Sequence, residues 1–203
     1  AAMVTAAIAL AAIPSAAIAW IATLTACFCV AYYFGSGSLD PRIIDETFCE
    51  RLRGFDNLAL HFHLSMQSGC DATLARMNRK YTSEEYCEKC QILRKYFEHP
   101  ALTTDVIVGF PGETEQEFET TKKFIEKVDF YETHVFKYSK REGTLAAKMP
   151  DQVPEQVKTL RSEQLIEISK RHQRTFESWY QGKKVEVLVE KRSEEKGESY
   201  WIG

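Results

Sequence analysis

The first 39 residues contain no Asp, Glu, Lys or Arg, the sharpest compositional boundary in the chain. The run Ala1 to Tyr33 is mostly Ala, Ile, Val and aromatic, long and apolar enough to be weighed as a membrane span. Three deficits count against a span. Pro14 interrupts it, no Lys or Arg flanks its amino end, and alanine supplies much of its apolarity. A secretory signal would need the basic start that is missing. A membrane span, a buried helix of a larger domain and sequence foreign to the rest of the chain all stay open; the abrupt change at Gly35-Ser36-Gly37-Ser38 favours the last.

An excess of one charge is also missing: 26 basic side chains stand against 29 acidic ones. No global basic field announces nucleic acid, so an RNA contact must come from a local patch or from other parts. The six cysteines (Cys27, Cys29, Cys49, Cys70, Cys87, Cys90) lack the rhythm of a secreted scaffold. With 44% hydrophobic residues to fill a core, the chain does not need disulfides, and the thiols read as reduced and cytosolic. Cys87 and Cys90 form a CxxC, but a second CxxC or a CxH is lacking. Zinc or iron–sulfur ligation therefore has too few partners, and Cys90 falls on an apolar stripe as a small core residue.

What is present centres on Thr103 to Thr114, TTDVIVGFPGET. A β-branched and apolar run breaks at Gly109, Pro111 and Gly112, and Thr114-Glu115-Gln116-Glu117 follows as a capping box. That pattern is a buried strand turning into a helix, a junction that exposes backbone N–H groups suited to a nucleotide or carboxylate. An ordinary βα turn has the same pattern, and both readings stay open. Upstream, Ile43, Ile44, Phe48 and Leu52 fall at helical spacing. Leu58 to Ser65 then alternates as a strand, with Phe62 and Leu64 on one face and His61 and His63 on the other. No acidic or cysteine partner lies close in sequence to the two histidines, so no metal site is assigned.

Gln67-Ser68-Gly69 ends that strand and Asp71 to Met77 makes a short helix with basic residues at its end. Thr82-Ser83-Glu84-Glu85 caps a helix running to about Phe97. After the central stretch come a helix through Phe118, Phe124, Ile125 and Val128, and a strand from Thr133 to Ser139. Lys140 to Met149 reads as a loop. A long helix follows from Pro154 to about Tyr180, with Val157, Leu160, Leu165, Ile168, Phe176 and Trp179 as its packing face. Strands joined by helical connections of a dozen residues or more imply an α/β fold with parallel strands and right-handed crossovers, whose ligands lie at the carboxyl ends. Lys183 to Glu190 reads as a further strand, with a turn at Lys196-Gly197 and another strand from Tyr200.

Three segments, HFHLSMQSGCDATLARMNRKYT (His61 to Thr82), TTDVIVGFPGET and HVFKYSKREGTLAAKM (His134 to Met149), closely resemble the carboxyl-terminal half of the radical S-adenosylmethionine methylthiotransferases. The resemblance runs from about Ser38 to the end, and GKKVEVLVE looks like the start of the family's RNA-binding TRAM β-barrel. QSGCDATLARMNRKY resembles the bacterial tRNA branch that thiomethylates N6-threonylcarbamoyladenosine beside the anticodon. The branches acting on isopentenyladenosine and on a ribosomal protein of the small subunit usually read differently there.

The resemblance implies a partial (β/α) barrel of the radical SAM type over residues 37–180, a truncated TRAM-like module over 181–203, and a leader of uncertain origin over 1–36. It implies S-adenosyl-L-methionine at the strand carboxyl ends, two 4Fe-4S clusters, tRNA and a reductant as partners, and a cytoplasmic location, with a membrane partner only if the apolar leader is genuine. The rim residues it points to are Gln67, Ser68, Asp105, Gly109, Tyr138 and Arg141, with Gly109 admitting the adenosyl group and Arg141 pairing with a carboxylate or an RNA phosphate. The family's CxxxCxxC motif is absent, and Cys27-Phe28-Cys29 does not replace it. The expectation is therefore a part of an enzyme without turnover of its own, or else an RNA-binding remnant using Arg76 to Lys80 and Lys183-Lys184.

Overall fold

The computed structural model describes residues 39–55, 58–184, 191–195 and 198–202. The leader over 1–36, the Cys27-Phe28-Cys29 triplet, most of the strand expected over 183–190 and the turn at Lys196-Gly197 lie outside these. No helix among the described residues is long and apolar enough to cross a membrane.

Two aspartates set the entry. Asp40 caps a 3-10 turn at Pro41–Ile43, and Asp45 accepts from Phe48 N at 2.7 Å to start helix α1 (Glu46–Leu52). The second cap divides what the spacing of Ile43, Ile44, Phe48 and Leu52 had suggested as one helix. Ile44 becomes extended and fully buried while Ile43 is left exposed. Strand β1 (His61–His63) is shorter than the alternation over 58–65 predicts. Beyond it Leu64 bridges Leu39 and Gln67 bridges Val106. Between those bridges Thr104 Oγ1 takes over from the ladder, donating to Leu64 O at 2.6 Å and accepting from Met66 N at 3.1 Å.

Helix α2 (Asp71–Arg76) and helix α3 (Ser83–Tyr96) follow, α3 opened by the Thr82/Glu85 capping box. Strand β2 (Ala101–Val108) leads to helix α4 (Glu115–Val128), opened by the Thr114/Glu117 capping box and ended by Asp129 in the left-handed region. Strand β3 (Glu132–Lys137), a single helical turn α5 (Leu145–Lys148) inside the expected loop, and the long helix α6 (Glu155–Ser178) complete the layer. The sheet order is β1-β2-β3, all parallel, as the helical connections require. Strands β4 (Lys191–Glu195) and β5 (Glu198–Ile202) pair antiparallel as a separate two-stranded sheet.

One face of the parallel sheet is greasy and covered. Phe62, Leu64, Met66, Leu102, Val106 and Val108 join Tyr86, Cys90 and Leu93 of α3, Phe118 and Ile125 of α4 and Leu165 and Ile168 of α6 in one core. The other face carries the alternate residues of each strand: polar His61, His63, Thr103, Asp105, Glu132 and His134 over most of it, with Ile107 and Phe136 side by side toward the carboxyl ends. Period-2 alternation thus separates a helix-covered side from a side left for chemistry.

Helix α6 corrects the apolar stripe drawn from its sequence. Leu160 is 59% exposed, and the buried residues are Arg161, Leu165, Ile168, Ser169 and His172. The reason is polar matching. Arg161 meets Glu113, and Ser169 Oγ accepts from Thr133 N at 2.9 Å, so the stripe rotates toward groups that need partners.

Candidate functional site: the polar sheet face and its strand ends

Parallel register decides which side chains meet on the open face. His63 is level with Thr103, and Asp105 pairs directly with His134. Thr103 Oγ1 lies 2.9 Å from His63 Nδ1 and 3.0 Å from His61 Nε2, so one hydroxyl links two imidazoles. His63 Nε2 faces Asp105 Oδ2 at 3.2 Å, and Ser65 donates to the same carboxylate oxygen at 2.9 Å. The His134 ring lies 5.7 Å from that of His63. Burial, more than its charged neighbours, pushes the His61 imidazole below its ordinary value.

Above this cluster lie the strand carboxyl ends, where three of the six expected residues meet. Gln67 is buried with φ 71° and exchanges backbone bonds with β2, its N donating to Asp105 O and its O accepting from Ile107 N. Gly109 follows β2 with φ +72°. Tyr138 follows β3, its N donating to Val108 O at 2.9 Å and its ring 5.4 Å from that of Phe110. Gln67, Gly109 and Tyr138 therefore share one end of the sheet. Asp105 lies on the open face, deeper along β2. Arg141 is exposed in the loop beyond Tyr138, where its carbonyl accepts from Thr144.

Ser68 turns toward the protein, and the space beside Gly109 is filled from within it. Ser68 is fully buried, with its hydroxyl 3.1 Å from Thr121 Oγ1 and accepting from Cys70 N at 3.2 Å, so it ties the turn to α4. At Gly109 the space a side chain would fill is taken by Lys158, whose Cγ lies 2.3 Å from an ideal Cβ. Lys158 then reaches on to donate to Tyr138 O at 2.9 Å, joining the ends of β2 and β3.

The turn after β2 rests on a buried ion pair that residue spacing did not reveal. Glu113 Oε2 accepts from Gly109 N at 2.7 Å and from Arg161 Nη1 at 2.8 Å, with side chains only 1% and 6% exposed. Arg161 also donates to Glu113 O and to Glu115, and its guanidinium sits over the Phe118 ring. Burial pushes the Glu113 carboxyl up, while the Gly109 N–H and Arg161 oppose that rise. A second pair, Arg76 with both oxygens of Glu117 at 2.9 and 2.7 Å, fastens α2 to α4 and holds the Glu117 carboxyl below its usual range. Arg76 is thereby committed inside the fold. The exposed basic groups near the end of β1 are Arg79 and Lys80, which line a cavity of about 290 Å³ with Arg42, Ser65 and Tyr81.

The described cysteines do not fit an iron–sulfur cluster. Cys49, Cys70, Cys87 and Cys90 are free and buried, and no three of them converge among the described residues. Burial pushes the Cys49 thiol up to about 11 and the Cys90 thiol up to about 12, the wrong direction for a thiolate ligand. By contrast, the strand ends hold a polar atom that an organic ligand would satisfy: the Tyr138 phenol oxygen, on a ring beside Phe110 and Lys158, is buried without a hydrogen-bond partner.

Residues 36–125 match the model of the Radical SAM superfamily. The chain is 46% identical over 153 residues to a tRNA-2-methylthio-N(6)-dimethylallyladenosine synthase of Oceanobacillus iheyensis, covering 75% of this chain and 30% of that protein. It is 42% identical over 167 residues to the threonylcarbamoyladenosine tRNA methylthiotransferase MtaB of Bacillus subtilis, covering 82% of this chain and 37% of that protein. The chain thus spans about a third of the length of these curated relatives. Among solved structures it is similar to a radical SAM enzyme of Escherichia coli, coproporphyrinogen III oxidase (HemN). The TM-score is 0.53 at 20% identity, over 66% of this chain and 31% of that one, a likeness of fold.

Proposed function

Because this chain belongs to the radical SAM superfamily and its relatives are tRNA methylthiotransferases, we propose that it serves in radical SAM-dependent methylthiolation of a tRNA adenosine. The observation that carries the reading is the pairing of that relatedness with a polar sheet face whose strand ends gather Gln67, Gly109 and Tyr138. Gln67, Asp105 and Tyr138 would hold S-adenosyl-L-methionine there, and it would supply the hydrogen-abstracting radical; the iron–sulfur clusters this chemistry uses would be held by residues other than the described cysteines.

The chain's own residues hold and orient the cofactor. The Tyr138 phenol donates to a polar group of the ligand, and its lack of an internal partner supports this. Asp105 and the Gln67 amide offer an acceptor and a donor–acceptor pair to hydroxyl and amino groups. Gly109 and Ser68 act through backbone shape, Gly109 by carrying the β2 turn over Lys158 and Ser68 by fixing the turn after Gln67 to α4. Arg141, exposed beyond β3, pairs with a carboxylate or an RNA phosphate.

Residues 37–180 form the barrel portion and 181–203 begin a TRAM-like module, a reading supported by the antiparallel pairing of β4 with β5. The described thiols do not suit a cluster, which supports reading the chain as a part of an enzyme without turnover of its own. Within the tRNA enzymes the finer reading is N6-threonylcarbamoyladenosine as substrate. It rests on the QSGCDATLARMNRKY segment and on the longer stretch shared with the Bacillus subtilis protein. Modification of a dimethylallyl adenosine is the competing outcome.

Mass spectrometry of tRNA nucleosides from a host lacking the enzyme, complemented with the complete gene, tests both levels. The expected result is restored 2-methylthio-threonylcarbamoyladenosine. Restoration of the dimethylallyl nucleoside alone would move the substrate. A cluster-loaded, reduced protein that restores neither overturns the reading.

A binding-only role has one observation in its favour, the basic cavity lined by Arg79 and Lys80. If tRNA binds there through phosphates, retention must weaken steeply with added salt.

A further inference from the structure

The cluster below the strand ends has no part in holding the cofactor beyond Asp105, yet it gathers unlike ligand types from three strands. We propose that His63, Asp105 and His134 form a binding site for a divalent transition-metal ion, in a two-imidazole, one-carboxylate arrangement on the open face of the sheet. One donor atom from each of the three lies within 4.8 Å of the others. Among the described residues no other group of three His, Cys, Asp or Glu side chains does so.

The spacing that now serves a hydrogen bond also matches what an ion needs. A transition-metal ion holds imidazole and carboxylate atoms at about 2.0–2.2 Å, which sets neighbouring ligand atoms roughly 3–3.5 Å apart. His63 Nε2 and Asp105 Oδ2 already stand at 3.2 Å. The His134 ring nitrogen lies within 4.8 Å of both, so a side-chain rotation of roughly 1–2 Å brings it to the spacing a metal ion sets. It is 40% exposed, and its contact with Glu132, at 3.8 Å, is a loose one at the surface.

The groups behind the ligands are ordered as a metal site requires. Thr103 lies between the two imidazoles of β1. When His63 Nδ1–H donates to Thr103 Oγ1 and that hydroxyl donates to His61 Nε2, the His63 Nε2 lone pair is turned toward the Asp105 carboxylate. A lone pair facing a carboxylate oxygen is repulsive unless a cation sits between them, and a metal ion is such a cation. The other order of donation places a proton on Nε2 instead. The ion then enters as the ring changes tautomer, its proton leaving Nε2 and returning from solvent to Nδ1, where the rotated Thr103 hydroxyl accepts its hydrogen bond. Ser65, donating to Asp105 Oδ2, steadies the carboxylate.

Two imidazoles and one carboxylate suit zinc, cobalt, nickel or ferrous iron better than magnesium or calcium, which prefer oxygen ligands. The open side of the face leaves further coordination positions to water or substrate. Asp105 side-chain exposure of 26% and the 40% of His134 give an ion its path in.

The test needs no catalytic activity. The full chain, stripped with chelator, is titrated with cobalt(II) and followed by its visible absorption, with zinc competition to give affinity. The expected result is one cobalt per chain with intensified ligand-field bands, displaced by zinc. His134→Ala, chosen because the exposed ring can be removed without opening the core, should abolish the intensified bands. Thr103→Val, which keeps all three ligands but removes the hydroxyl behind His63, should weaken zinc binding about 10–100-fold. Circular dichroism confirms that each variant is folded. A wild-type spectrum no different from cobalt in buffer overturns the proposal, and so does a cobalt spectrum that survives in His134→Ala.

Discussion

Replacing Arg161 by Met keeps most of the side chain's length and removes its charge, leaving the buried Glu113 carboxylate without its cation. Three donated bonds go with it, to Glu113 Oε2 at 2.8 Å, Glu113 O at 3.1 Å and Glu115 at 3.0 Å. Breaking a buried pair from one side costs about 3–5 kcal/mol. The Gly109 N–H still bonds Glu113 at 2.7 Å, and the freed carboxyl escapes part of the penalty by taking a proton, so the lower end, about 3 kcal/mol, is expected.

For a domain of this size that lowers Tm by roughly 6–12 °C, and urea unfolding followed by circular dichroism measures it directly. The pH dependence gives the sharper signature. Burial already raises the folded Glu113 value, and removing Arg161 raises it further. Between the unfolded value and that raised folded value, the folded state binds the extra proton. Stability of the variant is therefore fullest below the unfolded carboxyl range and falls as pH rises through the folded one. Adding Glu113→Gln should recover most of the loss and flatten the slope. A loss under about 0.5 kcal/mol, the range of an ordinary surface change, with no added pH slope, would mean that the Glu113 carboxylate does not depend on Arg161.

The second ion pair has the opposite sign. Arg76 holds the folded Glu117 carboxyl below its usual value, so its contribution, about 1 kcal/mol for a partly exposed pair, is present above that value and lost as pH falls through the lowered one. Acid titration of stability in Glu117→Gln should show that slope removed, and an unchanged acid limb would discount the pair. Gly109→Ala should destabilise by about 1–3 kcal/mol through its left-handed backbone and its collision with Lys158. Lys158→Ala in the same chain should relieve the collision and leave the backbone cost. A double-mutant cycle with no coupling would show that Lys158 does not occupy that space.

Much of the framework was legible in the chain because its signals are local. Capping boxes at Thr82/Glu85 and Thr114/Glu117 form as the spacing implies, and the alternation in β1 and β2 separates a core face from a polar one. The glycine turn after Val108 appears as a positive-φ junction. Boundaries moved where one side chain decided them, as Asp45 did by starting a new helix within an apparently continuous stripe.

Where strands, turns and helix starts fall, and that the strands run parallel, could be read from the order of residues, since propensity, capping and periodicity act over a few neighbours. The polar partnerships could not. His63 found Asp105 and His134, and Glu113 found Arg161, through strand register and helix docking. Hydropathy ranks Arg161 and Ser169 as surface residues, yet both are buried by partners far along the chain. A hydrogen bond or ion pair between distant segments depends on distance and direction in space, quantities that a linear order of residues does not contain.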